Sequence, residues 1–494
     1  MSLLLVLAAC VKDETTLATG AITELYVEEG SIKEQYDIDR NEVLEIRPVV
    51  RQTNREKPVS YSWEIGSTVY STDPVFHYVG KDLGSFLCRL VLENEDGRSF
   101  YEFTLNVNSP YEEGITVISV DPEGKSRLSF MLRQRAEGVA DHFEEGDCFA
   151  TNNPDFELER NVSDVAQCDG TLLIACKGDV AEGRPGTIYF LNEKTLVVQN
   201  EVKVPEYPDF RPIRMIQPLR ATAGTSYPIL CENGKVYEFA TGEGAVGESQ
   251  RYKSEYARGI ELYDNASVTY NHIYMWDRLV GALTILYNGY GPYYCSTEYH
   301  LSYESITGEG AGKNFFAGVD FVSMFMPRDP AANASRGDRL MVVGKNAGGM
   351  YVKVRLDPGF WYQDEETLQP VLGSFGGLKL CGFASDLTDA SPYVATAYYK
   401  TLLYGVGNAV KKWNYDTVEM LQAVQTLATV GTDQAVITAM ELSLDHKETF
   451  VAFYEPQEEG LNGHVWVIDT DSGELLRKYD NVCYRPVKIM YKRK

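Results

Sequence analysis

Two aromatic segments contain the residues best suited to bind a ligand. In the first, tyrosines alternate with glycine, asparagine and proline; its candidates are Tyr290, Tyr293 and Tyr294. The second follows a Pro-Gly pair and contributes Trp361 and Tyr362. Rings in turn-rich segments can stand exposed and offer flat apolar faces with polar edges, on which the C–H faces of sugars stack. We therefore take these five residues as ligand-binding candidates; the alternative is that the rings pack onto neighbouring strand edges.

Acidic residues could supply hydrolytic chemistry. Two carboxylates about 5–10 Å apart suffice for glycoside hydrolysis, and the chain has 71 acidic residues. They cluster in two predicted loops, at Asp141, Glu144, Glu145 and Asp147, and at Asp364, Glu365 and Glu366. Sequence spacing does not say which acids would face each other, and such runs are usually solvated surface.

The sequence contains none of the common catalytic motifs. It has no HExxH pattern and no Gly-x-Ser-x-Gly pattern, and its six histidines form no ligand-like pair. The segment Asp469–Glu474 lacks part of a calcium-binding set and predicts a turn between two strands. We therefore predict no catalytic residues, no metal and no cofactor, and expect the protein not to be an enzyme. A hydrolase or lyase acting on polysaccharide remains the alternative.

Cys10 follows a short apolar run and closes the tetrad Leu7-Ala8-Ala9-Cys10. This order resembles a bacterial lipobox, in which cleavage precedes acylation of the cysteine. The run is too short to span a bilayer, so residues 1–9 are a predicted signal peptide, although the usual basic residues before Leu3 are absent. Lys12, Asp13 and Glu14 resemble a signal that sends lipoproteins to the outer face of the outer membrane. We expect Cys10 to carry the lipid and residues 10–21 to form a tether.

Bulk composition excludes some functions. The 494 residues are 44% hydrophobic and 24% charged, as in ordinary globular proteins, and the length predicts at least two domains. The formal net charge of −25 argues against nucleic acid as a partner. Eight cysteines follow Cys10 without a CxxC pattern, and we expect them to be buried thiols rather than a disulfide framework.

Residues 22–108 predict short alternating strands. Tyr61, Trp63 and Ile65 fall on one face of a strand, and Glu93–Arg98 forms a turn between two others. The segment resembles the PKD-like immunoglobulin-type sandwich, named after the polycystic kidney disease protein. Asn108-Ser109-Pro110 is a predicted linker.

Residues 111–494 carry a loose repeat, in which a glycine or asparagine turn is followed after one residue by an aliphatic and usually an aromatic residue. The copies begin at Gly124, Gly186, Gly234, Asn271, Gly348, Asn408 and Gly463. Repeated four-stranded units bury both faces only when a ring of them closes, so we predict an all-β chain ending in a seven-bladed β-propeller. Two sandwiches, or six or eight blades, are the alternatives. Tyr415 to Leu427 predicts a helical connection within one blade.

The lipobox, the PKD-like segment and the repeat together resemble the PKD-like family of lipoproteins, encoded beside outer-membrane uptake transporters of the starch-utilisation type. The resemblance implies a non-catalytic accessory protein on the cell surface, lipid-anchored in the outer membrane, that binds or scaffolds during nutrient uptake. Glycan is the first expected ligand, and peptide or glycoprotein the second. A structural partner that docks on the transporter complex is the remaining possibility.

Overall fold

The computed structural model describes most of the chain, with gaps. The described residues are 22–133, 142–144, 147–168, 170–215, 226–240, 245–248, 257–264, 271–278, 281–288, 298–300, 318–327, 340–357, 362–363, 370–371, 374–380, 386–415 and 424–494. The chain divides into two compact units, residues 1–110 and 111–494.

The first unit is built from β-strands in its described part. Its strands are β1 (Leu25–Val27), β2 (Gln35–Asp39), β3 (Val43–Ile46), β4 (Val50–Gln52), β5 (Ser60–Ile65), β6 (Thr68–Ser71), β7 (Phe76–Val79), β8 (Gly84–Asn94) and β9 (Gly97–Asn108). They form one five-stranded sheet, β2-β9-β8-β5-β6, and the pairs β1-β4 and β3-β7. The predicted turn is confirmed, because Asn94 pairs with Gly97 across the β8–β9 hairpin.

Trp63 lies at the centre of the first unit's core. Its side chain is fully buried, and its ring centroid lies 4.9 Å from that of Phe76 on β7. Tyr61 and Ile65 are half-buried against the same core, as the alternation predicts. The indole N–H donates to the backbone oxygen of Asp73 (2.8 Å), so this polar group is satisfied despite its burial.

The second unit contains seven four-stranded antiparallel sheets among its described residues, here numbered in chain order. Sheet 1 consists of β10 (Gly114–Val120), β11 (Ser126–Leu132), β12 (His142–Glu144) and the C-terminal strand β39 (Arg485–Lys492). Sheets 2 and 3 consist of β13 (Val162–Cys168), β14 (Thr171–Cys176), β15 (Thr187–Asn192) and β16 (Val198–Lys203), and of β17 (Pro212–Met215), β18 (Ser226–Cys231), β19 (Val236–Ala240) and β20 (Ala245–Glu248).

The remaining sheets follow the same plan. Sheet 4 consists of β21 (Ala257–Asp264), β22 (Asn271–Asp277), β23 (Ala282–Asn288) and β24 (Glu298–His300). Sheet 5 consists of β25 (Asp320–Phe325), β26 (Leu340–Lys345), β27 (Tyr351–Asp357) and β30 (Ser374–Leu380), with the short pair β28 (Tyr362–Gln363) and β29 (Pro370–Val371) between its last two strands. Sheets 6 and 7 consist of β31 (Tyr393–Thr396), β32 (Thr401–Val406), β33 (Ala409–Asn414) and β34 (Gln425–Thr429), and of β35 (Val436–Leu442), β36 (Glu448–Tyr454), β37 (Gly463–Asp469) and β38 (Leu475–Cys483).

Each sheet packs against the next. Apolar clusters join sheets 1 and 2, 2 and 3, 5 and 6, and 6 and 7, and a further cluster joins sheet 7 back to sheet 1. Arg278 of sheet 4 donates to the backbone oxygen of Asn233 in sheet 3, and the rings of Trp276 and Phe321 stack between sheets 4 and 5. Because β39 pairs with β10, the end of the chain completes the first sheet. The all-β, propeller-like prediction is therefore confirmed.

The sequence repeat marks one particular position in these sheets. Six of its seven copies lie at the turn before the third strand of a sheet, counting β39 as the first strand of sheet 1. The exception is Asn271, which begins the second strand of sheet 4; the turn before its third strand is at Gly281, which has a φ of 62°. Assigning the copy at Asn271 to a turn was therefore wrong. The order Asn271-His272-Ile273-Tyr274 matches the repeat pattern, but it lies inside a strand.

Two shorter predictions have different outcomes. Asp469–Glu474 is a turn between β37 and β38, as predicted. The predicted helix from Tyr415 to Leu427 is wrong at its end, because Gln425–Thr429 is a strand paired with β33. Residues 416–423 lie outside the described residues.

The cysteines that the structure describes are free thiols, and all but the half-buried Cys168 are buried. Burial raises the pKa of Cys88 to about 11. The described residues include one α-helix, α1 (Cys148–Asn152), and no helix among them is long and apolar enough to cross a membrane.

Candidate functional site

Most of the residues singled out in the sequence lie outside the described residues. This holds for Cys10, Lys12, Asp13, Glu14, Tyr290, Tyr293, Tyr294 and Trp361. Tyr362 is in strand β28, where its backbone pairs with Val371. The binding role of these residues therefore stays a prediction.

The described strands nevertheless show to which end of the sheets the two aromatic segments connect, and a similar binding site can be sought among the described turns at that end. The first aromatic segment joins the third and fourth strands of sheet 4, and the second joins the third and fourth strands of sheet 5. In an antiparallel four-stranded sheet, the connection between the third and fourth strands lies at the same end of the sheet as the connection between the first and second strands. In sheets 6 and 7, three described turns leave from that end.

The first of these turns carries two tyrosines. Residues 397–400 join β31 to β32, and the ring centroids of Tyr398 and Tyr399 lie 4.7 Å apart in an edge-to-face arrangement. Tyr398 is 60% exposed, the largest exposed fraction among the aromatic residues the structure describes as exposed. Tyr399 is half-buried, and its backbone N–H lies 3.5 Å from the hydroxyl of Thr396. Tyr398 thus offers a ring face to solvent from a turn held at both ends by strands.

The second turn, residues 443–447 of sheet 7, lies against the first. Nδ1 of His446 is 3.3 Å from Oγ1 of Thr396, which joins the turn to sheet 6. Within the turn, Oδ1 of Asp445 accepts hydrogen bonds from the hydroxyl of Ser443 (2.7 Å) and from the N–H of Lys447 (3.2 Å). These bonds fix the orientation of the Asp445 carboxylate.

The third turn, residues 470–474, joins β37 to β38, and Asp469 before it and Asp471 within it add two carboxylates to the site. Oδ1 of Asp469 accepts from the N–H groups of Asp471 and Ser472 and from the Ser472 hydroxyl. Oδ1 of Asp471 accepts from Nζ of Lys412 on β33 (2.6 Å), which connects this turn to sheet 6 as well. We call the three turns with the strand residues that flank them, residues 396–401, 443–447 and 469–474, the Tyr398 site.

The charges of this site act on one another. Burial raises the pKa of Tyr399, and the negative charges of Asp469, Asp471 and Asp445 add to the effect. The N–H of Ser472 lowers the pKa of Asp469, outweighing its partial burial. For Asp445, burial would raise the pKa, but the hydroxyl of Ser443 and the N–H of Lys447 lower it overall. Asp445 and Asp469 are therefore ionised at neutral pH.

The arrangement can accept hydrogen bonds beside an aromatic face. The hydrogen bonds to the carboxylates of Asp445, Asp469 and Asp471 all go to Oδ1, so within the described part of the chain Oδ2 of each accepts none. No group of three or more His, Cys, Asp or Glu side chains among the described residues converges tightly enough to hold a metal ion. An exposed ring flanked by separated acceptors suits a polyhydroxylated ligand.

The sequence contained a usable signal for the Tyr398 site, which the sequence analysis missed. Two adjacent tyrosines stand between a four-residue strand and the apolar run Leu402–Tyr404. The glycine, proline and asparagine residues that drew attention to the other two segments are absent from this turn. The carboxylates could not be assigned to it, because they come from a different sheet.

The predicted acidic loop at residues 141–147 has a structural explanation in its described part. Oδ1 of Asp147 accepts from the N–H groups of Phe149 and Ala150, which caps α1, and Oδ2 pairs with Arg127 at 3.1 Å. Glu144 lies in β12, whereas Asp141, Glu145, Asp364, Glu365 and Glu366 lie outside the described residues.

No family model matches this sequence, and no curated protein matches it. Among solved structures, the chain is similar to a quinonprotein alcohol dehydrogenase-like protein from Bacteroides thetaiotaomicron, with 16% identity, a TM-score of 0.45, and coverage of 94% of this chain and 99% of that one. It is also similar to the periplasmic gluconolactonase of Pseudomonas aeruginosa, with 11% identity, a TM-score of 0.42, and coverage of 77% and 98%. A third similar structure is the Dos1 propeller, with 10% identity, a TM-score of 0.37, and coverage of 75% and 86%.

Proposed function

We propose that this protein is a surface-exposed outer-membrane lipoprotein that binds glycan, without catalysis, as an accessory to nutrient uptake. In this proposal Cys10 carries the lipid, with Lys12, Asp13 and Glu14 as the export signal. Residues 22–108 form an immunoglobulin-type PKD-like sandwich, and the seven sheets are the blades of one propeller. Attachment to a surface would raise the effective concentration of a weakly binding site without new contacts.

The observation that carries the proposal is the exposed ring of Tyr398, which contacts the ring of Tyr399, the tyrosine on which the charges of three oriented carboxylates act. Sugars present C–H faces that stack on such a ring and hydroxyl groups that donate to carboxylate oxygens. The sequence-predicted tyrosines and Trp361 belong to third-to-fourth strand connections of sheets 4 and 5. They would extend the same surface if the ligand is long.

Electrostatics supports binding over hydrolysis at the Tyr398 site. A glycosidase needs one carboxyl group that stays protonated near neutral pH, and this requires a raised pKa. The pKa values of Asp445 and Asp469 are both lowered. Neither of these groups would serve as the general acid.

Affinity electrophoresis of the purified chain in gels containing neutral polysaccharides tests the proposal. We expect retardation by at least one polysaccharide, and Tyr398→Ala should weaken the affinity by about tenfold because the stacking surface is lost. Phe156→Ala is the matched control, since Phe156 is also an exposed aromatic residue of the second unit (45%) and lies outside the site.

Two results would contradict the proposal. One is equal retardation of wild type and Tyr398→Ala. The other is release of reducing ends from the retarding polysaccharide, which would favour the hydrolase alternative.

Membrane attachment has its own test. Metabolic labelling with a palmitate analogue should mark the wild-type chain and not Cys10→Ala, because the acylated thiol is absent from the variant. Protease added to intact cells should degrade the wild-type chain. Exchange of Lys12, Asp13 and Glu14 for alanine should leave labelling intact but protect the chain from that protease. Labelling of Cys10→Ala would refute the anchor.

A further inference from the structure

Strand β2 of the first unit has an open edge. It is the last strand of the five-stranded sheet, and among the described strands it pairs only with β9. The backbone oxygen of Glu34 accepts from the N–H of Thr104 (2.9 Å), and the ladder then uses every second residue of β2. The backbone N–H and C=O groups of Gln35 and Asp37 therefore point away from β9. Within the described part of the chain, these four groups have no hydrogen-bond partner.

The open edge of β2 borders a groove of about 570 Å³. The other wall of the groove is β3, which pairs only with β7 among the described strands and so also has an open edge. Ile38, Leu44 and Ile46 line the groove from the apolar core and form its floor. Unpaired backbone groups beside an apolar floor are the features by which a sheet accepts a further strand.

The rim of this groove is electronegative. Asp37 and Glu42 line it, and neither forms an ion pair with another described residue, whereas the rim residues Arg47 and Glu45 pair with each other. Lys33 is the remaining cation of the rim. The first unit as a whole is also negative, because residues 22–108 contain 16 acidic residues against nine lysines and arginines. Charge complementarity therefore favours a basic partner.

The same charges disfavour a second copy of this chain as the partner. Hydrogen bonds from the side-chain amides of Asn106 and Gln35 lower the pKa of Asp37, so its carboxylate is ionised at neutral pH. Pairing of two β2 edges would bring the acidic side chains of both copies together, and like charges across a strand pair are destabilising.

We propose that the groove between β2 and β3 binds an extended segment of a partner protein, in which basic and apolar residues alternate, as an added strand on the open edge of β2. The backbone of the segment pairs with Gln35 and Asp37. Its apolar side chains face the floor of the groove, and its basic side chains lie on the opposite face, beside the carboxylate of Asp37. This interaction is separate from glycan binding and does not depend on it.

Fluorescence anisotropy with the full chain and labelled octapeptides tests the proposal. One peptide alternates lysine with valine, a second replaces every lysine by glutamate, and a third replaces every valine by proline. We expect the first peptide to bind at physiological salt and the other two to bind at least about tenfold more weakly. The second peptide has the wrong charge, and the third lacks N–H groups that strand pairing needs.

Gln35→Pro tests the pairing with β2. This substitution removes an N–H that points into the groove but no hydrogen bond to β9, so it should weaken binding of the lysine–valine peptide by about tenfold. Gln35→Ala is the matched control, because it keeps the N–H and should bind as the wild type does. The calorimetric transition of the first unit should persist in both variants.

Asp37→Lys tests the charge complementarity. It should weaken binding of the lysine–valine peptide by about fivefold and strengthen binding of the glutamate–valine peptide. Glu56→Lys is the matched control, because Glu56 is exposed and does not line the groove, yet the net charge changes equally. Equal effects of the two substitutions would show that only the overall charge acts.

Three results would overturn the proposal: no binding of the lysine–valine peptide, equal binding of all three peptides, or unchanged affinity in Gln35→Pro. Dimerisation of the chain in sedimentation that Gln35→Pro abolishes would assign the edge to a second copy instead. These outcomes leave the proposed glycan binding untouched, because that function is tested separately through Tyr398.

Discussion

Lys492 is a charged residue buried where the chain ends. Its side chain is 1% exposed, and Nζ donates to the backbone oxygen of Glu112 at 2.7 Å. Burial lowers the pKa of its ammonium group from 10.5 to about 8, although Glu193 and Glu112 act in the opposite direction. The folded chain therefore releases this proton at a lower pH than the unfolded chain does.

This difference predicts a pH dependence of stability. Between about pH 8 and 10.5 the unfolded chain binds a proton that the folded chain lacks, so the free energy of unfolding rises with pH through this window. The ammonium group of Lys492 contributes about 3 kcal/mol to this rise in the free energy of unfolding. Below pH 8 the group is charged in the folded chain, so the cost of burying its charge is fully present. Lys492→Met should remove the rise, as measured by urea unfolding at several pH values.

Lys494→Met is the control for this measurement, because the ammonium group of Lys494 is 68% exposed although it also pairs with Glu112. Its stability curve should run parallel to that of the wild type. Parallel curves for wild type and Lys492→Met would show that the buried ammonium group has no such pKa.

At the scale of single elements, two of the turns before third strands depend on close backbone approach. A Cβ atom at Gly463, which begins β37, would lie 2.0 Å from the backbone oxygen of Tyr484 and 2.6 Å from Sγ of Cys483. At Gly186, before β15, a Cβ atom would lie 2.1 Å from the backbone oxygen of Phe210. These two positions tolerate only glycine.

Gly463→Ala should therefore destabilise the second unit by roughly 1–3 kcal/mol, as overpacking does. Gly247→Ala is the matched control, because no atom lies within 4 Å of a Cβ at that strand position. We expect the control to be neutral or slightly stabilising. Thermal unfolding followed by circular dichroism measures both, and equal melting temperatures would contradict the close approach.

The elements show how far the sequence could predict the fold. Alternation and glycine turns predicted the strand class and the propeller-like repeat, because both patterns can be recognised within a single hairpin. The same pattern misassigned Asn271, since a strand interior can contain the same residue order. The stretch from Tyr415 to Leu427 has helical spacing, but its end is a strand because Gln425–Thr429 pairs with β33. Tyr398 could be noticed in the sequence, whereas its carboxylate neighbours depend on the packing of sheet 7 on sheet 6.

At the scale of the second unit, the C-terminal strand β39 follows sheet 7 in the chain but pairs into sheet 1, so it connects the last sheet to the first. Strand β39 pairs with β10, and Nζ of Lys488 on β39 pairs with the buried carboxylate of Asp164 in sheet 2. The side-chain amide of Gln167 both accepts from the N–H of Arg493 and donates to its backbone oxygen, at 2.8 Å each. Ile489 of β39 packs in the apolar cluster that joins sheets 7 and 1, so sheets 7, 1 and 2 meet at these last residues.

Deletion of residues 485–494 should abolish cooperative unfolding of the second unit, because sheet 1 loses its first strand and the apolar faces around Ile489 are exposed. The first unit has its own core and should keep its transition in calorimetry. A chain ending at Arg493 is the control and should keep both transitions. Two unchanged transitions in the longer deletion would show that the remaining sheets hold together without β39.

Amide hydrogen exchange with and without a bound neutral oligosaccharide tests the central claim most directly. Ligand should slow exchange in all three turns of the Tyr398 site, residues 396–401, 443–447 and 469–474, and the protection should vanish in Tyr398→Ala. Protection that avoids these three turns, or that persists in Tyr398→Ala, would contradict the assignment of glycan binding to this site.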